Sequence, residues 1–390
     1  MHLLAPRERS VLRAAVSRHR APWTQGDRLR ASLVGIASKL ANYRSPFSGP
    51  RVTVPKLRAG GVGVALSVLY SPFDEIDVRT KYPGEPQPDY RPTILRQLGH
   101  VEDSLDDENL GGVATVVRNP RQLDEAIDAC KVALVPCIEG GFHVGPGLGD
   151  DAEKHVHELA QAGVAYITVA HLFYRRVATN ANAIPFIPDP VYRHFWPQPE
   201  HGLTELGRAV LRAMIAEHVL IDVTHMSGPA LDATFALLDD IDPDREVPVL
   251  ASHGAVRFGG HPYNLSQQTI ERIVARNGVI GLILGEKLAT VDVRDTPTET
   301  LEDSLEVLFK HVDRIHEWSG APQARTYDNI AIGTDLDGFV KPTLAGLQTA
   351  EDLHLLESAL IDRYGGDVAA KITSGNALRL LRSHWHGGPD

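Results

Sequence analysis

From about residue 60 onward, the sequence repeats one unit: a short apolar run rich in β-branched residues, followed by a polar stretch with helical periodicity. This alternation is typical of a parallel sheet whose strands are connected by helices. Seven runs fit the strand position, at residues 61–70, 132–140, 164–171, 219–225, 247–253, 278–284 and 329–338. An eighth run, at 112–119, is predicted to be a peripheral strand. The rhythm predicts a (β/α)8 barrel of the TIM type, and the seven runs are one short of a closed barrel.

The regions that flank this repeat are predicted to be helical or irregular. Residues 6–44 contain two helix-like segments separated by a Pro-Trp break. The Pro-rich stretch 183–202 is expected to be a long loop over the barrel mouth, and the last residues, SHWHGGPD, are expected to be frayed. We therefore predict one domain over residues 1–390, with an N-terminal helical segment (1–58), barrel strands and helices (59–340), and C-terminal helices and a tail (341–390).

Composition restricts the classes of function. A chain of 390 residues that is 43% hydrophobic and 23% charged is typical of a soluble enzyme, and a formal net charge of -11 argues against nucleic acid as a partner. Cys130 and Cys137 belong to no CxxC pair and are expected to be buried small side chains. No apolar run is long enough to span a membrane, and no signal peptide is recognisable, so we expect a cytoplasmic protein without a membrane partner.

Five apolar runs finish in, or next to, a side chain that can bind a metal or transfer a proton. These side chains are Glu139, His171, His225, His253 and Asp335. In barrel enzymes the carboxyl ends of the strands carry the chemistry, so the five residues should meet at one end of the barrel. A single histidine in such a place is more often a hydrogen-bonded structural residue. The five together favour a functional site.

The remaining histidine pairs are assigned to the surface. His155 and His157 lie in a helix-like segment, where residues two apart point about 200° away from each other and cannot bind one ion together. His384 and His386 belong to the tail, where no scaffold is predicted to hold them. His143, in the loop after Glu139, is predicted to lie behind the metal ligands at most.

Seven motifs, spread over about residues 60–381, connect these side chains with a known family. They are IEGG (138–141), YITVAH (166–171), GLTELG (202–207), IDVTHMS (221–227), PVLASH (248–253), IGTDLDG (332–338) and SGNALRLL (374–381). In their order and spacing they resemble the membrane dipeptidase family, peptidase family M19, of the amidohydrolase superfamily. The combination is specific, although no single motif would be.

This resemblance implies a dipeptidase that uses two zinc ions and a zinc-activated water, with a homodimer expected. Glu139 resembles the carboxylate that bridges the two ions, and His225 and His253 resemble imidazole ligands of one of them. His171 resembles the histidine that contacts the substrate. Asp335 resembles the acid/base that moves protons between water and the leaving amine.

The sequence departs from the family at the first barrel strand. That strand ends in an Asp-x-His-x-Asp or similar HxH motif that binds the second metal, and no such motif occurs before residue 61. One interpretation is that the natural start lies upstream of Met1. For the chain as given, at most three ligands remain, so we expect one weakly held zinc ion, low hydrolase activity and a gap in the barrel.

A second departure concerns the substrate. The family commonly has Arg immediately before Asn in the loop after the SH motif, where it can pair with a dipeptide carboxylate, whereas here Tyr263 precedes Asn264. Arg257 is an alternative partner, and the substrate-binding set is predicted to be His171, Arg257, Tyr263 and Asn264. A lactone, an N-acyl amino acid or a phosphoester therefore stays an alternative substrate. A catalytically impaired barrel with a binding or scaffold role is a third reading, although retention of the predicted ligands and of Asp335 disfavours it.

Overall fold

The computed structural model of the protein describes residues 50–389 with short gaps, together with Ser32 and Ile36. The gaps are residues 78, 108, 185–186, 292, 294–295, 321–326 and 339–341. Ser32 and Ile36 are helical, as predicted for their segment. The rest of the two predicted N-terminal helices lies outside the described residues.

Eight parallel strands form one sheet that curls into a half-barrel. They are β1 (Val64–Leu69), β2 (Ala114–Val116), β3 (Val132–Glu139), β4 (Tyr166–Thr168), β5 (Leu220–Asp222), β6 (Val249–Gly254), β7 (Val279–Leu282) and β8 (Ile330–Ile332). The order is β1-β3-β4-β5-β6-β7-β8, and β2 pairs with the first residues of β3. Each predicted run contains a strand, and β2 is peripheral as expected.

Helices follow most of the strands, as in a (β/α)8 barrel. They are α1 (Val54–Ala59), α2 (Pro72–Glu75), α3 (Tyr90–Asp107), α4 (Pro120–Asp128), α5 (Asp150–Gln161), α6 (Asp189–Phe195), α7 (Glu205–Ala216), α8 (Gly228–Ile241), α9 (Gln267–Ala275), α10 (Glu286–Thr290), α11 (Leu301–Trp318), α12 (Leu353–Tyr364), α13 (Gly366–Ala370) and α14 (Asn376–His384). Short 3-10 turns occupy Gly141–Val144 and Ala350–Asp352, and a π-turn occupies Lys371–Gly375. None of the helices in the described part of the chain has the length and apolarity needed to cross a bilayer.

Local sequence explains why the elements form where they do. All eight residues of β3 are buried, because a parallel strand covered on both faces needs a continuous apolar run. Thr204, Ser227 and Ser266 precede α7, α8 and α9, and each side chain accepts a hydrogen bond from a backbone N–H of the first helical turn. These caps fix where each helix begins after its strand or loop.

The sheet path ends at β1 on one side and at β8 on the other, and within the described residues no strand connects the two. Asp337, just after β8, contacts the segment before α1: its Oδ2 accepts the backbone N–H groups of Arg51 and Val52, both at 2.8 Å. The Arg51 guanidinium also donates to Thr343 Oγ1 at 2.8 Å. The second aspartate of the GTDLDG motif thus attaches the start of the described chain beside β8.

The Pro-rich stretch 183–202 is not a continuous loop, so that prediction was wrong. It contains α6, because proline is tolerated in the first turn of a helix, where its missing N–H would have no intrahelical partner. The Tyr192 and Trp196 rings lie 5.4 Å apart, and the Trp196 ring lies 5.1 Å from that of Phe173. Aromatic packing therefore holds α6 against the loop that follows His171.

The C-terminal tail is packed, which overturns the prediction of a frayed end. Trp385 is 1% exposed and joins a core cluster that contains Tyr166 and Leu220, at the starts of β4 and β5. Gly388 donates its N–H to the Arg118 carbonyl at 2.8 Å. Gly387 has a φ of +67°, and a Cβ there would clash with the same carbonyl oxygen. The glycines that suggested disorder are the residues that allow this close approach.

Two smaller expectations also need correction. The His384 side chain is buried, whereas that of His386, two residues further along the tail, is exposed as predicted. Cys137 is buried, whereas Cys130 is exposed in the turn after α4, where its φ is +55°. A turn that closes a surface helix leaves its last side chain in solvent whatever its hydrophobicity.

Candidate active site

Three of the predicted metal ligands form one cluster at the carboxyl ends of the strands. Glu139 Oε1 lies 3.3 Å from His253 Nε2 and 3.5 Å from His225 Nε2, and the two Nε2 atoms are 3.0 Å apart. All three residues are buried, with exposed fractions of 8% or less. The structure therefore brings together side chains that are 114 positions apart in the sequence (139 to 253).

Each ligand occupies a different kind of backbone position. Glu139 is the last residue of β3, and His253 lies within β6. His225 follows β5 by three residues and adopts a left-handed backbone with φ +66°, which is uncommon for a residue other than glycine. Its carbonyl accepts the Ala181 N–H at 2.7 Å, so the loop after β4 helps to hold this turn.

Asp222, the last residue of β5, orders the surrounding strand ends. Its buried carboxylate accepts hydrogen bonds from the hydroxyl groups of Thr168, Thr224 and Ser252 at 2.5–2.6 Å. Ser252 Oγ in turn lies 2.9 Å from His253 Nδ1. Because the Ser252 hydrogen is directed to Asp222, its oxygen accepts the Nδ1 proton, and the lone pair of His253 Nε2 faces the cluster.

The donor set fits a zinc ion. One carboxylate oxygen and two imidazole nitrogens are ligands that zinc accepts, and their ligand atoms all lie within 4.8 Å of one another. Burial lowers the pKa of His225 to about 4, so this imidazole is neutral. Burial opposes ionisation of Glu139, but the nearby His171, His253 and His225 hold its pKa well below the usual range. Glu139 and His225 are thus in the protonation states that a cation requires.

His171 lies beside this cluster and connects it with an acidic side chain. Its Nε2 is 3.5 Å from Glu139 Oε2, and its Nδ1 is 2.6 Å from Glu75 Oε2. Burial favours the neutral imidazole, but the charges of Glu75 and Glu139 raise the pKa of His171 to about 9. Tyr70 donates its hydroxyl to the same Glu75 oxygen at 2.6 Å.

Sequence reasoning missed Glu75 and Tyr70. Both belong to the segment YSPFDE, which directly follows β1. The run at 61–70 predicts a strand without a functional residue at its end, because Glu75 comes five residues after Tyr70. The available signal was an acidic pair in a short Pro-initiated turn on the carboxyl side of a predicted strand.

Asp335 follows β8 by three residues, is partly buried and has a left-handed φ of +48°. Burial lowers the pKa of His171, and the charge of Asp335 raises it after the larger effects of Glu75 and Glu139. Burial raises the pKa of Tyr263, and the charge of Asp335 adds to this rise, so the acid lies near both residues. A Cβ at Gly338 would clash with its carboxylate. The glycine that ends GTDLDG therefore makes room for this acid.

Tyr263 and Asn264 pack behind the ligands. The Tyr263 hydroxyl donates to the His253 carbonyl at 3.1 Å, and its ring meets that of His225 edge-on at 5.1 Å. Asn264 is 1% exposed and donates its amide to the Leu288 carbonyl at 3.0 Å. Tyr263 therefore supports both histidine ligands.

Arg257 contacts the loop that carries Tyr263. Its Nε donates to the Asn264 carbonyl and its Nη2 to the Pro262 carbonyl, both at 2.8 Å. These contacts hold the loop closed on itself. They brace the loop, and the role of Arg257 as a partner for a substrate carboxylate stays a prediction.

Three histidines singled out in the sequence, His143, His155 and His157, lie outside the cluster. His143 is fully buried, and its Nε2 accepts the Ser71 N–H at 3.4 Å. The Tyr70 ring lies between His143 and the ligands. His155 and His157 are on α5, as predicted. His157 is exposed and lies 3.0 Å from Glu217. The surface assignment is therefore right for His157, whereas His155 is half-buried on the same helix.

A groove of about 600 Å³ lies among loops that follow the carboxyl ends of the strands. Its walls come from Pro83–Pro86, Pro146–Leu148, Tyr174–Arg176 and 197–206. Five prolines make these walls rigid, and the Arg176–Glu85 ion pair at 2.8 Å joins two of them. The groove belongs to these loops, and its lining includes none of Glu139, His171, His225 and His253.

Comparison with known proteins agrees with this arrangement. A sequence model of the membrane dipeptidase family, peptidase family M19, matches residues 28–385. Dipeptidase tcpJ of Claviceps purpurea is 24% identical over 222 residues, which cover 56% of this chain and 44% of that protein. Dipeptidase aclJ of Aspergillus oryzae is 23% identical over 353 residues, covering 87% of this chain and 72% of that protein. The first alignment thus spans less than half of the relative.

The fold also has solved counterparts. A metallopeptidase from Rhodobacter sphaeroides, liganded with a phosphinate mimic of the dipeptide L-Ala-D-Ala, superposes with a TM-score of 0.66 at 19% sequence identity. The superposition covers 92% of this chain and 96% of that one. At this level of identity the likeness shows the fold, which is the TIM-type barrel predicted from the sequence.

Proposed function

This chain belongs to the membrane dipeptidase family, peptidase family M19, and from this premise we propose that it is a zinc-dependent hydrolase that cleaves the peptide bond of dipeptides. The observation that carries the proposal is the buried cluster of Glu139, His225 and His253, whose ligand atoms lie within 4.8 Å of one another. Three ligands from three strands support one zinc ion.

The residues that would hold zinc are Glu139, His225 and His253. A bound zinc ion would supply Lewis acidity, which lowers the pKa of water and polarises an amide carbonyl. Asp335 would accept the proton of the attacking water and return it to the leaving amine. His171 would direct its Nε2 side toward the carbonyl oxygen and stabilise the negative charge that develops there.

We propose a small dipeptide as the substrate, and the contacts around the site suggest how it is recognised. Arg257 is engaged with its own loop and the Tyr263 hydroxyl with the His253 carbonyl, so a carboxylate partner at the position of the family arginine would have to be a neighbouring backbone group. Tyr263 and Asn264 are buried behind the ligands and would shape the wall of the site. The Rhodobacter relative was liganded with a mimic of L-Ala-D-Ala, so this dipeptide is a reasonable first substrate.

A dipeptide panel in the presence and absence of zinc tests the proposal. We expect hydrolysis of at least one of L-Ala-D-Ala and L-Ala-L-Ala, loss of activity in chelator, and recovery on addition of zinc, with one ion per chain by elemental analysis. Glu139→Gln should lower kcat by at least about 100-fold, because a metal ligand is lost. His157→Gln, a surface histidine, is the matched control. Activity that survives chelation and Glu139→Gln would overturn the proposal.

A second substrate class follows from the replacement at Tyr263. A site without the carboxylate-pairing arginine suits a lactone, an N-acyl amino acid or a phosphoester on the same metal cluster. Zinc-dependent hydrolysis of one of these compounds, with no turnover of any dipeptide, would favour this alternative. A catalytically silent barrel would bind zinc and turn over none of them.

We also propose, from the family resemblance and the cysteine content, a homodimer that acts in the cytoplasm. Light scattering of the purified chain would measure its mass against that of the 42.5 kDa monomer. Cell fractionation would test the location.

A further inference from the structure

We infer that Glu75 is the positioning residue for His171: its carboxylate holds Nδ1 and thereby fixes the ring orientation that turns His171 Nε2 toward the metal cluster. This inference rests on the proposed function for its catalytic consequence. The hydrogen bonds that carry it are independent of that function.

The carboxylate of Glu75 is the centre of a complete hydrogen-bond set. Oε2 lies 2.6 Å from His171 Nδ1 and 2.6 Å from the Tyr70 hydroxyl, and Oε1 accepts the Phe173 N–H at 2.8 Å. Glu75 is 2% exposed, and a buried carboxylate is costly unless donors surround it. Here three donors converge on it from the ends of two strands.

The contact with Glu75 gives the two nitrogens of His171 different roles. An imidazole nitrogen that contacts a carboxylate oxygen donates to it, so the atom of His171 that faces Glu75 carries hydrogen. That atom is Nδ1. Nε2 is then the nitrogen that faces Glu139 Oε2 at 3.5 Å and the space where a substrate carbonyl would lie. This is the carboxylate–imidazole arrangement by which outer residues orient a reactive histidine.

Packing adds a second constraint on the ring. The Tyr70 ring meets that of His171 edge-on at 4.8 Å, and the His225 ring does so at 4.6 Å from another direction. The Phe173 N–H bond ties Glu75 to the loop that carries His171 itself. Rotation of the imidazole would therefore break the Glu75 contact and both ring contacts at once.

The neighbouring residue Asp74 supplies a matched comparison. It lies in the same short helix α2, is also 2% exposed, and differs from Glu75 in the histidine that it faces. Asp74 Oδ2 is 3.7 Å from His143 Nδ1, in the layer behind Tyr70. A change at Asp74 therefore alters a buried carboxyl group of the same turn without touching His171.

The isosteric variant Glu75→Gln tests the inference. Its amide must either oppose the Phe173 N–H or face His171 Nδ1, and the second choice removes the acceptor that holds the imidazole in place. We expect kcat for the best dipeptide to fall about 10- to 100-fold with KM within about threefold, because His171 acts on charge that appears in the transition state. Asp74→Asn should keep both constants near those of the wild type.

A double-mutant comparison separates positioning from a general structural effect. In a His171→Ala background, Glu75→Gln should cause little additional loss of kcat, because its route of action is gone. Independent losses that multiply would overturn the inference. If Glu75→Gln fails to fold, Glu75→Asp replaces it, since the shorter acid keeps the charge but withdraws from Nδ1. Wild-type kcat in folded Glu75→Asp would also contradict the inference.

A spectroscopic measurement decides the question without activity. In protein labelled with ¹⁵N-histidine, the His171 ring signals, assigned by their loss in His171→Ala, should show hydrogen on Nδ1 in the wild type and in Asp74→Asn. Glu75→Gln should change this pattern. An unchanged pattern would overturn the inference even for an active enzyme. If no dipeptide is hydrolysed, the proposed function fails while the ring signals still report on Glu75.

Discussion

A histidine can bind a metal only with the nitrogen that carries no hydrogen, so the bond made by its other nitrogen matters as much as its position. For His253 that bond is to Ser252, and Asp222 sets the direction of the Ser252 hydrogen. Asp222 also accepts the Ser252 N–H at 2.9 Å, which anchors the backbone next to the ligand. The aspartate of the DVTH segment therefore prepares a ligand on the neighbouring strand.

Ser252→Ala tests this arrangement at the level of one atom. The substitution removes the acceptor of His253 Nδ1 and frees the ring to rotate or to change tautomer. We expect zinc affinity to fall about 10- to 100-fold, as for other partners of metal ligands, measured by competition with a chromophoric chelator.

Thr168→Val is the control for Ser252→Ala. It removes another hydroxyl donor of Asp222 at a similar distance but leaves the contact between Ser252 and His253 in place. We expect a smaller loss of zinc affinity in Thr168→Val. Equal losses in both variants would mean that the general order of the Asp222 network governs binding, and not the His253 tautomer.

At the level of elements, periodicity predicted the strands but not their functional ends. The apolar runs located β1 to β8 because burial on both faces forces a continuous hydrophobic pattern. The three ligands were predictable for a related reason: each lies in or within three residues of its strand. Glu75 was not predictable, because it is the last residue of a short helix after β1, and its partner His171 follows another strand. Contacts between loops of different strands leave no periodic trace in the sequence.

The tail shows the opposite error, since its composition suggested disorder while its packing gives order. Trp385 caps the core cluster at the strand starts and is 1% exposed. Trp385→Ala should lower the free energy of unfolding by about 3–5 kcal/mol, measured by urea denaturation, because the removal of a buried indole leaves a cavity.

The control for Trp385→Ala is Phe195→Ala on α6, where the aromatic side chain is 64% exposed. This substitution should change the free energy of unfolding by about 0.5 kcal/mol or less. A wild-type urea midpoint in Trp385→Ala would show that the tail does not contribute to the stability of the barrel.

At the scale of the whole molecule, β5 separates two groups of histidines with different surroundings. His225 follows its carboxyl end and belongs to the proposed zinc site, while His218 precedes its amino end and contacts the tail. The His218 ring stacks on that of His386 at 3.6 Å and lies 5.3 Å from that of His384. Because the strands are parallel, the two groups lie at opposite ends of the half-barrel, and one can be altered without contact with the other.

The tail group makes stability depend on pH. Burial first, and then the neighbouring His218 and His386, lower the pKa of His384 to about 4, with only Asp242 acting in the opposite direction. Burial also lowers the pKa of His218, against the influence of Glu217. The pKa of a histidine in an unfolded chain is about 6.5. At His384 the unfolded chain therefore binds more protons than the folded one between about pH 6.5 and 4, and the contribution of this group to stability falls as the pH falls.

We expect the melting temperature, recorded by calorimetry with zinc present, to decrease from pH 7.5 to pH 5. His384→Gln should make this decrease smaller, because the group that resists protonation is removed. His157→Gln, which alters an exposed histidine on α5, should leave the pH dependence as in the wild type. Since zinc would also leave its imidazole ligands in acid, the comparison uses the difference between variants at each pH. Identical slopes for wild type and His384→Gln would contradict the assignment of acid sensitivity to the tail, and would leave the opposite end of the barrel as its source.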